Sequence, residues 1–145
     1  MRIGDRARRS RTVTARDIEL FTELTGDHNP LHYDEELARR SRFGGLIVQG
    51  GVTSGLLNAV VAEDLPGPGT VFLHVDWRFL APVRPGDRIT AEVEVIGLRD
   101  DKPIATLRTT ITDQHGRIVL DGQAVTWREP LSPRPGAPTG PTPAS

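Results

Sequence analysis

The 145-residue chain has no cysteine, which excludes disulfide bridges, thiolate nucleophiles and cysteine-ligated metals. It has almost no lysine: of its 18 basic residues only Lys102 is one. So strong an arginine bias reflects a GC-rich genome more readily than a phosphate-binding surface, although the planar guanidinium would suit one. Neither sign of charge dominates. A formal net charge of −1 and a pI near 6.4 make no electrostatic case for nucleic acid or an anionic membrane as partner. No run approaches the roughly 18 apolar residues that a membrane span needs. The opening residues, Met1-Arg2-Ile3-Gly4-Asp5-Arg6, lack the apolar stretch of a signal peptide. A soluble cytoplasmic protein is expected.

What is present amounts to one domain. A chain of this size can bury somewhat over two-thirds of its unfolded surface, enough for one core. That domain is assigned to residues 1–128. From Glu129 the sequence reads EPLSPRPGAPTGPTPAS, with Leu131 its one large apolar residue. Such a segment cannot bury enough to offset its ordering entropy, so residues 129–145 are expected to form a flexible tail.

Helical patterning comes first. Thr14 can cap a helix with Asp17 in the capping-box position, Ile18, Phe21 and Leu24 follow at helical spacing, and Gly26 stops it. A short second helix is expected from about Asp34 to Ser41. From about Gly50 to Glu63 the chain is apolar or small on nearly every side, which marks a buried helix.

The period then changes to two. Val71, Leu73, Val75, Trp77 and Phe79 alternate with Phe72, His74, Asp76 and Arg78. Ile89, Ala91, Val93 and Val95 form a second such set, Ala105, Leu107, Thr109 and Ile111 a third, and Ile118, Leu120, Gly122 and Ala124 a fourth. Each reads as a half-buried strand. A further strand is expected near Arg6 to Val13. One buried helix followed by such strands predicts an α+β hotdog fold, an antiparallel sheet wrapped around a long central helix.

Between the first two helices lies Gly26-Asp27-His28-Asn29-Pro30-Leu31-His32, which packs an acid, an amide and two imidazoles around a proline. In a bent loop the five-residue spacing can bring Asp27 and His32 onto one water molecule. A neutral imidazole accepts a proton near pH 7, and the carboxylate can orient the water. The same residues also suit an Asx-type turn in which Asp27 and Asn29 bond the local backbone, and for a bare pair the turn is the favoured reading. No third ligand at suitable spacing supports a metal site.

The string Leu24 to His32 resembles the hydratase signature of the MaoC-like family, in particular its (R)-specific enoyl-CoA hydratases: aliphatic, small, Gly or Glu, Asp, any residue, Asn, Pro, aliphatic, His. The likeness runs from about Asp5 to Trp127 and includes Leu65-Pro66-Gly67-Pro68-Gly69 and Pro85-Gly86-Asp87. It implies that Asp27 and His32 activate the hydrating water. It implies also that the Gly50 N–H polarises the thioester carbonyl, which suits the unpaired donors of a helix N-terminus. Asn29 would brace the loop, and Asn29, Gln49, Gly51 and Asn58 would line the substrate site. Two residues depart from the family: Gln49 stands where members commonly have His, and Asn58 where many have Ser. Asn58 is expected to face the site or bond the catalytic loop, or else to be a satisfied core amide.

The implied reaction is reversible hydration of a trans-2-enoyl thioester to the (R)-3-hydroxyacyl product, by a hydro-lyase requiring no metal or redox cofactor. CoA serves as the substrate handle, or an acyl-carrier protein does in a biosynthetic dehydratase. A non-catalytic acyl-thioester-binding subunit and a thioesterase are the other readings that the fold admits. A homodimer or higher homo-oligomer formed by edge pairing is expected. Of the remaining residues, His28 suits structure or substrate contact, and His74 and His115 suit solvent. Asp76, Trp77 and Arg78 fit a half-buried strand, while Arg84 and Arg88 are candidates for CoA phosphates.

Overall fold

Capping chemistry starts the first helix where the sequence places it. In the computed structural model, which describes residues 1–133 and Gly136, α1 runs Ala15–Thr25 behind a Thr14/Asp17 capping box. The Thr14 N–H donates to Asp17 Oδ2 at 2.8 Å, and Asp17 also pairs with Arg11 of the preceding strand. Gly26 ends α1 in the left-handed conformation (φ 80°), its N–H returning to the Thr22 carbonyl. Only a residue without Cβ enters that conformation cheaply. A single turn of 3₁₀ helix (Pro30–His32) and the short α2 (Glu35–Arg40, capped by Asp34) follow.

Five antiparallel strands make one sheet in the order β1-β3-β4-β5-β2. They are β1 Arg6–Thr12, β2 Thr70–Phe79, β3 Arg88–Leu98, β4 Ile104–Thr112 and β5 Ile118–Arg128. Helix α3 (Gly50–Ala59) continues through a wider π-helical turn, Val60–Asp64, and packs on the inner face of the sheet. Leu57, Val60 and Val61 meet Ile89, Ala91, Val93, Val95, Leu107, Ile111 and Leu120, all buried. A fully buried Leu or Ile contributes about 1.5–3 kcal/mol. Among the described residues no helix is long and apolar enough to cross a membrane.

Four expectations are corrected. Leu24 is 81% exposed: it borders a cavity between α1 and α3 that none of the described residues fills. Strand β2 does not hold one alternation: pairing with β5 shifts between Phe72 and His74. The extra residue turns Phe72 inward and leaves Val71 and Leu73 exposed. A similar shift beside Thr112 buries Val119 together with Leu120 and exposes Ile118. Helix α3 is not buried all round, since Thr53 and Leu57 face the sheet while Gly50 and Asn58 are exposed. One sheet covers only one side of a helix.

At its far end β5 reaches Arg128, and the Glu129 N–H still donates to the Gly69 carbonyl at 2.9 Å. Most of the Pro- and Gly-rich segment that follows (134–135 and 137–145) lies outside the described residues.

The β4–β5 turn is tied by Asp113. Its Oδ1 accepts the N–H groups of His115 (2.9 Å) and Arg117 (3.0 Å), and Oδ2 meets Arg117 Nε at 3.2 Å. Burial pushes this carboxyl pKa up, but the backbone donors and the guanidinium outweigh it and hold it below the usual range. A depressed native pKa gives stability that is present above the unfolded value and lost as pH falls through the folded one. Asp113→Asn should therefore melt below the parent at neutral pH. The two melting curves should converge as pH drops beneath about 4, the ordinary Asp value.

Candidate active site

The turn chemistry and the acid–imidazole pair prove to be one structure. Beyond Gly26 the Asp27 N–H donates to Thr25 Oγ1 (3.1 Å), and Asp27 Oδ1 accepts the Asn29 N–H (3.2 Å). Asn29 Oδ1 in turn accepts from Leu31 N–H (3.1 Å) and caps the 3₁₀ turn that Pro30 opens. Each short side chain bonds the backbone two residues on, so the loop doubles back within six residues. That bend sets His32 Nε2 at 4.0 Å from Asp27 Oδ1.

Their surroundings differ. The His32 side chain is 8% exposed and that of Asp27 39%, so an imidazole fixed in the protein faces a carboxylate open to solvent. His32 Nδ1 lies 2.7 Å from the Ile47 carbonyl oxygen. A carbonyl only accepts, so Nδ1 carries the proton, and in the neutral ring the lone pair sits on Nε2, towards Asp27. Two acceptors thus face each other across a gap too long for a direct hydrogen bond. A water oxygen about 2.8 Å from both would subtend roughly 90° between them, close to the angle of its own two O–H groups.

The loop is laced to the segment that enters α3. Ile47 N–H donates to the Leu31 carbonyl at 3.3 Å, beside the His32 bond to the Ile47 carbonyl. Three residues on, Gly50 opens the helix, and among the described residues its N–H has no partner. A Cβ on Gly50 would stand 3.1 Å from Phe79 Cε1. Gly50, Thr53 and Phe79 border a cavity of about 320 Å³ between α3 and the end of β2. Neither this cavity nor that between α1 and α3 includes Asp27 or His32.

The other expected site residues are more scattered. Gln49 is 2% exposed; its Nε2 donates back to α1, at 3.1 Å from the Ile18 carbonyl and 3.3 Å from Thr22 Oγ1. Gly51 lies against the ring of Phe21, where a Cβ would overlap it. Asn58 is exposed two turns further along α3. Among the described residues it makes no side-chain bond to the Gly26–His32 loop, which corrects the expected bond, and its exposure corrects the core-amide alternative. Asn29 is spent on the loop backbone, as a brace would be. His28 packs edge-on against Tyr33, with ring centroids 4.2 Å apart.

Arg84 donates to the carbonyls of Phe43 and Leu46, which ties down the loop before α3; Arg88, His74 and His115 are exposed. Among the described residues no three His, Asp or Glu side chains converge as metal ligands.

Thr22, Tyr33 and the Ile47 carbonyl also belong to this neighbourhood, and sequence reasoning passed over them. The one available signal was Thr22, a hydroxyl four residues after buried Ile18 on the inward face of an amphipathic helix.

Comparison with known proteins places the chain. Residues 4–115 match the MaoC like domain model. An (R)-specific enoyl-CoA hydratase of Aeromonas caviae is 41% identical over 125 residues, 86% of this chain and 93% of the relative. A mitochondrial 3-hydroxyacyl-[acyl-carrier-protein] dehydratase of Solanum lycopersicum is 33% identical over 126 residues, covering 86% and 75%. The solved (R)-hydratase of A. caviae superposes with a TM-score of 0.85 at 40% identity, over 89% of this chain and 98% of that one. The hotdog architecture agrees, and the chain belongs to the MaoC-like family.

Proposed function

We propose that the protein is an enoyl-CoA hydratase, a hydro-lyase that adds water reversibly across the 2,3-double bond of a trans-2-enoyl thioester to give the (R)-3-hydroxyacyl product. One observation carries the reading: a 4.0 Å gap between Asp27 Oδ1 and the unprotonated Nε2 of His32, matched to a single water. Each acceptor takes one O–H, which leaves the water's lone pairs free for C3 of the enoyl group. As the C–O bond forms, a proton passes from the water to the pair, charge moves onto the thioester oxygen, and the Gly50 N–H stabilises it. A proton returned to C2 completes the addition. No electron carrier enters this balance, and CoA acts as a handle.

CoA is favoured over a carrier protein because the 41% identical relative is named for a CoA substrate and the 33% identical one for a carrier. Loss of the enoyl absorbance of crotonyl-CoA on adding the protein is the expected result. Turnover confined to the carrier-protein thioester would shift the assignment to a dehydratase, and release of free CoA thiol would make it a thioesterase.

A second copy would finish the site. Edge strand β1 carries Arg6, Arg8, Arg9 and Arg11, a charged edge that resists pairing. The opposite edge, β2, exposes Val71, Leu73, Val75 and Phe79. Pairing of β2 with a second copy would cover these residues and enclose the exposed Gly50 end of α3. A homodimer with substrate entering at that interface is the assembly this supports.

A further inference from the structure

Thr22 lies one turn after Ile18 on α1, five residues ahead of Asp27. Its side-chain oxygen has three partners: the Asp27 carbonyl at 2.7 Å, Gln49 Nε2 at 3.3 Å and the phenol of Tyr33. A hydroxyl has one proton to give and two lone pairs to receive. The Asp27 carbonyl only accepts, so it takes the Thr22 proton. The Gln49 amide nitrogen only donates, so it fills one lone pair, and the Tyr33 phenol, whose longer contact is 3.5 Å to the Ile18 carbonyl, is left to donate into the other. The hydroxyl is saturated and its direction fixed. The amide is fixed too, because reversing it would set its oxygen against the Ile18 carbonyl 3.1 Å away. Meanwhile the Thr22 carbonyl accepts the Gly26 N–H, so one residue grips both Gly26 and Asp27.

We propose that Thr22 is a positioning residue for the water-activating pair: its hydroxyl, set by Gln49 and Tyr33, pins the Asp27 backbone and so aims the carboxylate at His32. The inference rests on the reading of Asp27 and His32 as that pair. The entry to α3 then registers both halves. The Ile47 carbonyl holds the imidazole, and two residues later Gln49 holds the carboxylate through Thr22. Carboxylate and imidazole cannot drift apart unless this short segment deforms. Gln49, where the family commonly has His, thereby acquires a role at α1 rather than at the substrate.

The test is steady-state crotonyl-CoA hydration by Thr22→Val and Thr22→Ser beside Asp27→Asn. Val keeps the shape and deletes the hydroxyl. It should lower kcat by roughly ten- to a hundredfold, the scale of a misplaced catalytic group, with KM close to the parent and a melting temperature lowered by the lost hydrogen bonds. Ser should restore most of kcat.

Parental kcat in Thr22→Val with an inactive Asp27→Asn would overturn the positioning role and leave the catalytic pair standing. An active Asp27→Asn would remove the pair first, whatever Thr22 does. A Ser variant as slow as Val, or a loss appearing in KM alone, would overturn the inference by assigning the effect to packing or binding. Should Thr22→Val fail to fold, Gln49→Met removes the amide donor and carries the same test: reduced kcat at constant KM supports the role, and unchanged kcat overturns it.

Discussion

Asp27→Asn should hydrate crotonyl-CoA roughly 10²–10⁴-fold more slowly than the parent, the range spanned by a positioned acid–base group. The substitution keeps the size of the side chain and its bond from the Asn29 N–H, but an amide cannot take a proton from water. His32→Ala should fall in the same range, since it removes the only other acceptor on that water. The double variant should be little slower than the worse single one, because two groups that act on one molecule fail together. Folding should survive Asp27→Asn, as that side chain is over a third exposed. Circular dichroism and melting temperature provide the check. Near-parental kcat in either single variant would remove the proposed roles.

How far these features could be read in the sequence depended on the distance over which each contact acts. In β3 and β4, Ile89 to Val95 and Ala105 to Ile111 alternate as read, because no register shift falls within either stretch. Extra residues stand at Leu73 in β2, at Ile96 beyond the alternating stretch of β3, and at Val119 in β5, and one residue reverses every side chain beyond it. Nothing at Leu73 or Val119 announces this, because a bulge depends on the partner strand.

The bend of the Gly26–His32 loop was legible for the opposite reason. Asp27, Asn29, Pro30 and His32 act within six residues through turn chemistry that each residue type declares. The groups that aim the pair were not legible. Ile47 acts through a backbone carbonyl, which any residue would supply, and Gln49 reaches Ile18 across 31 positions. For Asn58, helical spacing gives the direction from the axis but not which side the sheet covers, so its exposure was not legible.

Gly122→Ala should be the most damaging substitution in the sheet. Gly122 in β5 sits opposite Trp77 of β2 on one side and Thr109 of β4 on the other. A Cβ there would overlap the Asp76 carbonyl oxygen and lie 3.0 Å from Trp77 Cα. Both are backbone atoms, so no rotamer relieves the clash and β2 itself must move. Its φ of 156° is also one that residues with a Cβ rarely adopt.

Strand β2 is an edge held by β5 alone, so the movement sacrifices that pairing. A cost above about 4 kcal/mol is expected, against a total stability of roughly 5–15 kcal/mol for a domain. The variant should be insoluble, or should melt at least about 10 °C below the parent. Gly97→Ala in β3, whose nearest neighbour would be Thr106 Cβ at an ordinary 3.4 Å, is the control and should melt close to the parent. Equal melting of the two variants would remove the close approach of β2 and β5 as a constraint on the fold. Phe79 of the same strand abuts Gly50, so a displaced but folded β2 should also cost hydratase activity at temperatures where the sheet remains intact.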